Sequence, residues 1–347
     1  METRMPRPDP PQVAVLSLGG TVAMTTVDDA GARPRVGAAE LVSAVPELEE
    51  RARVTTLALS SVPSASLRLM DLLGFFTKME SVCDEGAQGV VLTTGTDTLE
   101  EVAYLFDLFW CREQPVVVTG AMRTADAPGT DGPSNLLGAV TVAASPEARG
   151  RGCLVVINDD VHTGRAVRKA HTTRLDAFTS VGGSSVGRVH EGRALLRPAL
   201  PRQHVLRMPS QARNVPKVAL IRLTLDQDVD LFEHAAQTHD GVVVEVFGAG
   251  HIPAWWVDAV ERATRRVPVV VTSRTGDGAL LRDSYGFRGS ERDLVNAGVH
   301  VLDELDGVKA RILLIAALLT ASDRKEVDEI MTSATPSTAL ADRRGES

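Results

Sequence analysis

At 347 residues the chain is too long for one comfortable hydrophobic core and too short for three, which leaves one large or two medium domains, with two the working number. Its 44% hydrophobic and 24% charged residues exclude a disordered chain apart from the ends, and a formal charge of -8 with scattered Lys and Arg argues against nucleic acid as a partner. The three cysteines, Cys83, Cys111 and Cys153, suit neither a disulfide framework nor a zinc site, and each reads as a small buried hydrophobe in a reducing compartment.

Residues 1–12, "METRMPRPDPPQ", read as a flexible segment with charges and prolines but without the apolar stretch of a leader peptide. No later run has the length of a membrane span, so the expectation is a cytoplasmic protein with no membrane partner. From Val13 onward the short apolar runs "VAVLSL", "GVVLTT", "PVVVTG" and "CLVVIN" alternate with amphipathic stretches of helical length such as 98–111. That alternation predicts an α/β domain over 13–198, a mostly parallel sheet flanked by helices. Residues 199–216 hold three of the four prolines in "RPALPRQHVLRMPSQARNVPK" and no sustained period, the composition of a linker. The pattern restarts with "KVALIRL", "GVVVEVF" and "VPVVVTS", predicting a second α/β domain over 217–332. In it "WWVDAV" should open a helix whose tryptophans pack. Residues 333–347 read as a flexible tail.

Ligands of open parallel sheets bind past the carboxyl ends of strands, so the residues following each apolar run carry the chemistry first. The first run ends "SLGGTVA": Gly19 and Gly20 can turn sharply, and Thr21 then stands as a hydroxyl on a tight turn, either a cap or a reactive group. The run at 89–94 ends "LTTGTDTLEE". Thr98 and Glu101 have the spacing of a capping box, which leaves Thr96 and Asp97 before a helix start, where an anion or a developing oxyanion is stabilised unless Asp97 only makes a local turn. Lys169 in "TGRAVRKAHTT" is either a solvated surface lysine or, taken out of water, a group able to accept the proton of a threonine hydroxyl. "GSSVG" at 183–187 fits an esterase elbow in spelling but lacks an apolar strand before it, and reads as a glycine-rich loop. Neither a phosphate-binding glycine motif nor a clustered His/Cys pattern occurs.

Taken in order, "SLGGTVA", "TTGTDTLEE", "GAMR", "DGPSNLLGAV", "GRAVRKAHTTRLDAF" and "YGFRGS" resemble the signatures of the bacterial-type L-asparaginase family, from about Val13 to about Ser322. The resemblance implies a larger N-terminal α/β domain, a smaller C-terminal one, and a homodimer or homotetramer with sites completed between subunits. It implies Thr21 as the nucleophile of an acyl-enzyme, with Thr96, Asp97 and Lys169 as the second catalytic group. It also sets Gly20, Ser64, Gly95, Thr96, Asp97 and Ala121 around the substrate: Asp97 at the α-ammonium, Ser64 at the α-carboxylate, the Ala121 backbone at the carboxamide. The implied substrate is a small amino-acid amide, L-asparagine first, and nothing in the scheme requires a metal or another cofactor.

The chain also departs from the family's pattern. Thr94 stands where histidine is usual, and Ser64 is followed by Ala65 rather than glutamine. The loop "MTTVDDAGARPRVG" after Thr21 has no tyrosine, the chain's two being Tyr104 and Tyr285. The glycine and acidic content of residues 27–35 suggests a gate over the site. Two alternatives stay open: a related amidohydrolase, either a glutaminase or an ammonia-supplying component of an amidotransferase, and a non-catalytic amino-acid sensor.

Overall fold

The computed structural model describes residues 9–20, 24–26, 32–34, 37–199, 202, 205–209 and 214–334. Thr21, most of the expected gate at 27–35, much of the expected linker at 199–216 and nearly all of the expected flexible ends therefore lie outside the described residues. The chain divides into two units, Met1–Arg202 and Gln203–Ser347.

In chain order the first unit has β1 (Gln12–Ser17), β2 (Met24–Thr26), β3 (Ala32–Pro34), α1 (Ala38–Ser43), β4 (Arg53–Ala58), α2 (Leu69–Asp84), β5 (Gly89–Thr93), α3 (Leu99–Phe109), β6 (Val116–Thr119) and α4 (Gly132–Ala143). It continues with β7 (Cys153–Ile157), β8 (Asp160–Thr163), β9 (Val167–Lys169), β10 (Phe178–Ser180), β11 (Gly187–His190) and β12 (Arg193–Leu196). Among the described residues eight of these strands form one sheet, in the order β12-β11-β8-β7-β6-β5-β1-β4. The pairs from β4 through β1, β5 and β6 to β7 are parallel, while β8, β11 and β12 extend the sheet antiparallel.

Each central strand is a β-branched run buried on both faces, as "GVVLT", "VVVT" and "CLVVI" are from end to end. β4 was not among the apolar runs, since "RVTTLA" lies at the sheet's edge with five of its six residues exposed. Phe76 of α2 meets the rings of Phe106, Phe109 and Trp110 around the end of α3, with centroids 5.7–6.3 Å apart. Arg202, inside the proline-rich segment, is tied to the same helix end: its guanidinium donates to the carbonyls of Trp110 and Asp107 and lies 3.2 Å from the Asp107 carboxylate. Burial pushes that carboxyl up and the guanidinium pulls it back down.

The second unit has β13 (Val218–Arg222), α5 (Asp230–Thr238), β14 (Gly241–Val246), α6 (Val257–Thr264), β15 (Val269–Ser273), α7 (Glu291–Asn296), β16 (His300–Val301), α8 (Gly307–Thr320) and α9 (Arg324–Ser333). Its four described strands form a parallel sheet in simple sequence order, β13-β14-β15-β16. Each unit is thus an α/β layer structure with a mainly parallel sheet, the second being the smaller. The tryptophans divide: Trp256 is fully buried against Phe232, whereas Trp255 is 57% exposed, and both indoles donate to the Gln227 carbonyl. Cys83 and Cys153 are buried, but Cys111 is exposed, contrary to the expectation for all three. Among the described residues no helix is long and apolar enough to cross a membrane.

Candidate active site

In the large sheet the chain runs from β1 outward to β4 and then crosses back to β5 on the other side of β1, so the strand order reverses between β1 and β5. Chains leaving the carboxyl ends of those two strands diverge to opposite faces, and a crevice opens there. Both glycine turns picked from the sequence lie at this point. Gly19 and Gly20 follow β1 with φ of +93°, a conformation that L side chains rarely adopt. A Cβ on Gly20 would run into the backbone of Thr94 and Gly95, and one on Gly95 would run into the Ser64 side chain. On the other side of Gly95's turn, a Cβ on Gly120 would lie 2.6 Å from the Thr94 carbonyl oxygen and 3.3 Å from Thr96 Cγ2. The turns after β1, β5 and β6 are therefore packed backbone to backbone, with the Ser64 side chain of the short helical turn Ser64–Ser66 against Gly95, and side chains larger than hydrogen at these glycines would push them apart.

Thr96 is buried on this turn, and its Oγ1 accepts a hydrogen bond of 2.9 Å from Lys169 Nζ. The same Nζ donates to Asp97 Oδ1 at 2.7 Å. Lys169 arrives from β9, with its side chain 14% exposed and its backbone N–H 3.3 Å from Glu100 Oε2. This is a partly buried, two-armed ammonium, not the solvated surface lysine of the competing reading. Because Thr96 Oγ1 accepts from Lys169, its own proton is free to be donated to something else. Asp97 leaves 70% of its side chain exposed, so its carboxylate keeps acceptor capacity beyond the lysine. Thr98 holds the N-cap position of α3 but makes no side-chain cap; its hydroxyl donates instead to the Ser64 carbonyl at 3.2 Å. The capping box expected of Thr98 and Glu101 is thus replaced by a tie between two of the converging turns.

Ala121, fully buried, follows β6 in a turn held by residues to which the sequence reading assigned no role. The Asp131 carboxylate accepts from the N–H groups of Met122 and Arg123 at 2.9–3.1 Å and from Asn135 Nδ2 at 3.0 Å. Asn135 Nδ2 also donates to the Gly120 carbonyl, and its Oδ1 accepts from the Asn158 N–H beyond β7. An Asp directly before the first turn of a helix has the pattern of an ordinary N-cap, which hid this clamp.

Of the eight residues placed at the site from sequence, the structure gathers Gly20, Ser64, Gly95, Thr96, Asp97 and Lys169 through direct contacts, and Ala121 through Gly120; Thr21 lies outside the described residues. Thr94, standing where the family favours histidine, is buried with no hydrogen-bond partner for Oγ1 among the described residues. Tyr104 is buried within α3 and Tyr285 is half-exposed in the second unit. Among the described residues no cluster of His, Cys, Asp or Glu could hold a metal ion.

Family models match the chain over residues 12–201 (Asparaginase, N-terminal) and 217–331 (Glutaminase/Asparaginase C-terminal domain). The chain belongs to the asparaginase family. It is 31% identical to an L-asparaginase of Bacillus licheniformis, covering 92% of this chain and 98% of that protein. It is 32% identical to L-asparaginase 2 of Escherichia coli (strain K12), covering 92% of each. One component of the glutamyl-tRNA(Gln) amidotransferase of Methanosarcina acetivorans matches at 32% identity, over 86% of this chain and 72% of that protein. The crystal structure of a probable cytoplasmic L-asparaginase from Campylobacter jejuni superposes with a TM-score of 0.81 at 30% identity, over 93% of this chain and 99% of that one. As an asparaginase-type amidohydrolase the protein is a hydrolase acting on amide C–N bonds.

Proposed function

We propose that this asparaginase-family chain hydrolyses L-asparagine to L-aspartate and ammonia through an acyl-enzyme on Thr21. The observation that carries the reading is the Lys169 ammonium shared between Thr96 and Asp97 at the strand-order reversal, one residue beyond the turn against which Gly20 packs. Thr21 Oγ attacks the side-chain carbonyl carbon while Lys169, in its neutral amine form, takes up the proton through Thr96 and then returns it to the leaving nitrogen. The C–N bond breaks to release ammonia, and water then cleaves the ester, returning Thr21 as a hydroxyl and the substrate as a carboxylate. Backbone N–H groups on the converging turns supply donors for the developing oxyanion. The exposed Asp97 carboxylate takes the α-ammonium, the Ser64 hydroxyl the α-carboxylate, and the Ala121 backbone the carboxamide. A compound lacking either α-charge would leave one of these groups unpaired.

Purified protein offered L-asparagine, L-glutamine and D-asparagine separately should release ammonia fastest from L-asparagine. Faster release from L-glutamine would favour the glutaminase or amidotransferase reading, which the Methanosarcina relative keeps in play. Binding without ammonia would favour a sensor. Thr21→Ala and Thr96→Val should each lower turnover by on the order of a thousandfold with the melting temperature retained; an unchanged rate in either removes that residue from the mechanism. We further read the chain as a cytoplasmic homodimer or homotetramer, which light scattering checks; a monomeric mass in active protein would overturn the assembly.

A further inference from the structure

Lys169 stands on an unusually small support. β9 and β10 have three residues each and pair only over Val167↔Ser180, Arg168↔Thr179 and Lys169↔Phe178. Two backbone bonds close the ribbon, Val181 N–H to the Ala166 carbonyl and Ala170 N–H to the Ala177 carbonyl. A two-stranded ribbon of this length has no stability of its own in water, so the place of Lys169 is set by whatever fastens the ribbon to the rest of the unit. Beyond the burial of Val167, Ala177 and Phe178, β9 is held by the Ala166 N–H to Thr163 of β8 and by the Lys169 N–H to Glu100, and among the described residues the polar tie from β10 to the large sheet is one hydrogen bond, 2.8 Å between Ser180 Oγ and Nδ1 of His162 in β8.

His162 is a costly residue for that place. It is 2% exposed, and its Nε2 is buried with no hydrogen-bond partner among the described residues, a penalty that an apolar side chain of similar size would avoid. Burial lowers the ring's pKa from 6.5 against a smaller opposing pull from Asp160, so the ring bonded to Ser180 is neutral. What the site receives in return is register. Val167, the partner of Ser180, precedes Lys169 by two residues, about 7 Å along the strand. A tilt of the ribbon at Ser180 therefore reaches Nζ, which must satisfy Thr96 at 2.9 Å and Asp97 at 2.7 Å together.

We propose that His162 and Ser180 are positioning residues for the reaction, their hydrogen bond pinning the β9–β10 ribbon to β8 so that Lys169 reaches Thr96 and Asp97 at once. The proposal rests on the function given above for Lys169. Ser180→Ala should lower kcat for ammonia release about tenfold and leave KM for asparagine within about twofold, because the groups assigned to the α-substituents lie on other elements. Ser180→Thr, which keeps the hydroxyl, should retain the original kcat. In a Lys169→Met background Ser180→Ala should cost nothing more, since the residue acts through the lysine. Hydrogen exchange at the amides of 166–170 and 177–181 should quicken in Ser180→Ala while the amides of β5 and β6 stay protected.

A kcat unchanged in Ser180→Ala, a fall of equal size in Ser180→Thr, or a fall that persists in the Lys169→Met background overturns the proposal, as does unchanged ribbon exchange. If the unaltered protein releases no ammonia from any amide, the functional reading fails instead, and ribbon exchange alone then decides whether His162 and Ser180 hold Lys169 in place.

Discussion

The main sheets of the two units are both parallel at their centres and are both followed by polar residues, yet those residues serve different ends. In the first unit the order reverses at β1 and β5, and there the Thr96 hydroxyl, Lys169 and Asp97 meet beside turns that their glycines let pack closely. In the second unit the order β13-β14-β15-β16 never reverses, and the polar strand ends are used up in closing the fold. Asp306 accepts from the Lys309 N–H at the start of α8 and from Lys309 Nζ at 3.1 Å, and Glu245 accepts from the Gly307 N–H. The Asp303 carboxylate takes the Leu280 N–H and the Arg282 guanidinium. Topology, more than polarity, separates the proposed reacting strand ends from the structural ones: in an open parallel sheet a ligand crevice forms where the strand order reverses.

Two lysines test that contrast most directly. Lys169→Met should lower ammonia release by on the order of a thousandfold with little change in melting temperature, because it removes the group proposed to transfer the proton. Lys309→Met, in the first turn of α8, should do the reverse. It strips the counter-charge from the buried Asp306 and should destabilise the protein by about 3–5 kcal/mol in a denaturant titration, with the turnover of folded protein unaltered. Equal loss of activity in both would erase the distinction between the units.

A smaller effect common to both units comes from one histidine in each, the buried His162 and the partly buried His300. Burial lowers the pKa of His162 and of His300 from 6.5. As pH falls below 6.5 the unfolded chain takes up protons at these rings while the folded chain does not. The stability they permit is therefore intact above 6.5 and declines as pH falls through the folded values. The melting temperature should be lower at about pH 5 than at about pH 7, and His162→Phe or His300→Phe should each flatten part of that slope. The smallest difference is chemical: burial pushes the Cys83 thiol up to about 11 and raises that of Cys153, whereas Cys111 is exposed. One thiol should react readily with an aromatic disulfide in the native protein, and all three after unfolding.

Much of the fold was legible because central parallel strands are buried on both faces and read as apolar, largely β-branched runs; the central strands β1, β5, β6, β7, β14 and β15 were read in this way, and so was the edge strand β13. Among the strands that escaped notice, β4 and β8 to β12 are short or lie toward a sheet edge, where the apolar signal fades. Thr96, Asp97 and Gly95 could be singled out because glycine next to hydroxyl and carboxylate at a strand end is a local pattern. The clamp of Asp131 and Asn135 and the tie between His162 and Ser180 could not, since each joins segments 8 to 23 residues apart through side chains with ordinary neighbours.

Sequence by itself determined the two α/β units, the glycine turns and the family, because backbone freedom at glycine and two-sided burial of strands are written in local residue order. Only the tertiary structure decided that Lys169, 73 positions from Thr96, leaves solvent to bond it, and that Thr98 ties down Ser64 instead of capping its helix. Those outcomes depend on strand order and on which turns are brought together, and neither is encoded within any one stretch of chain.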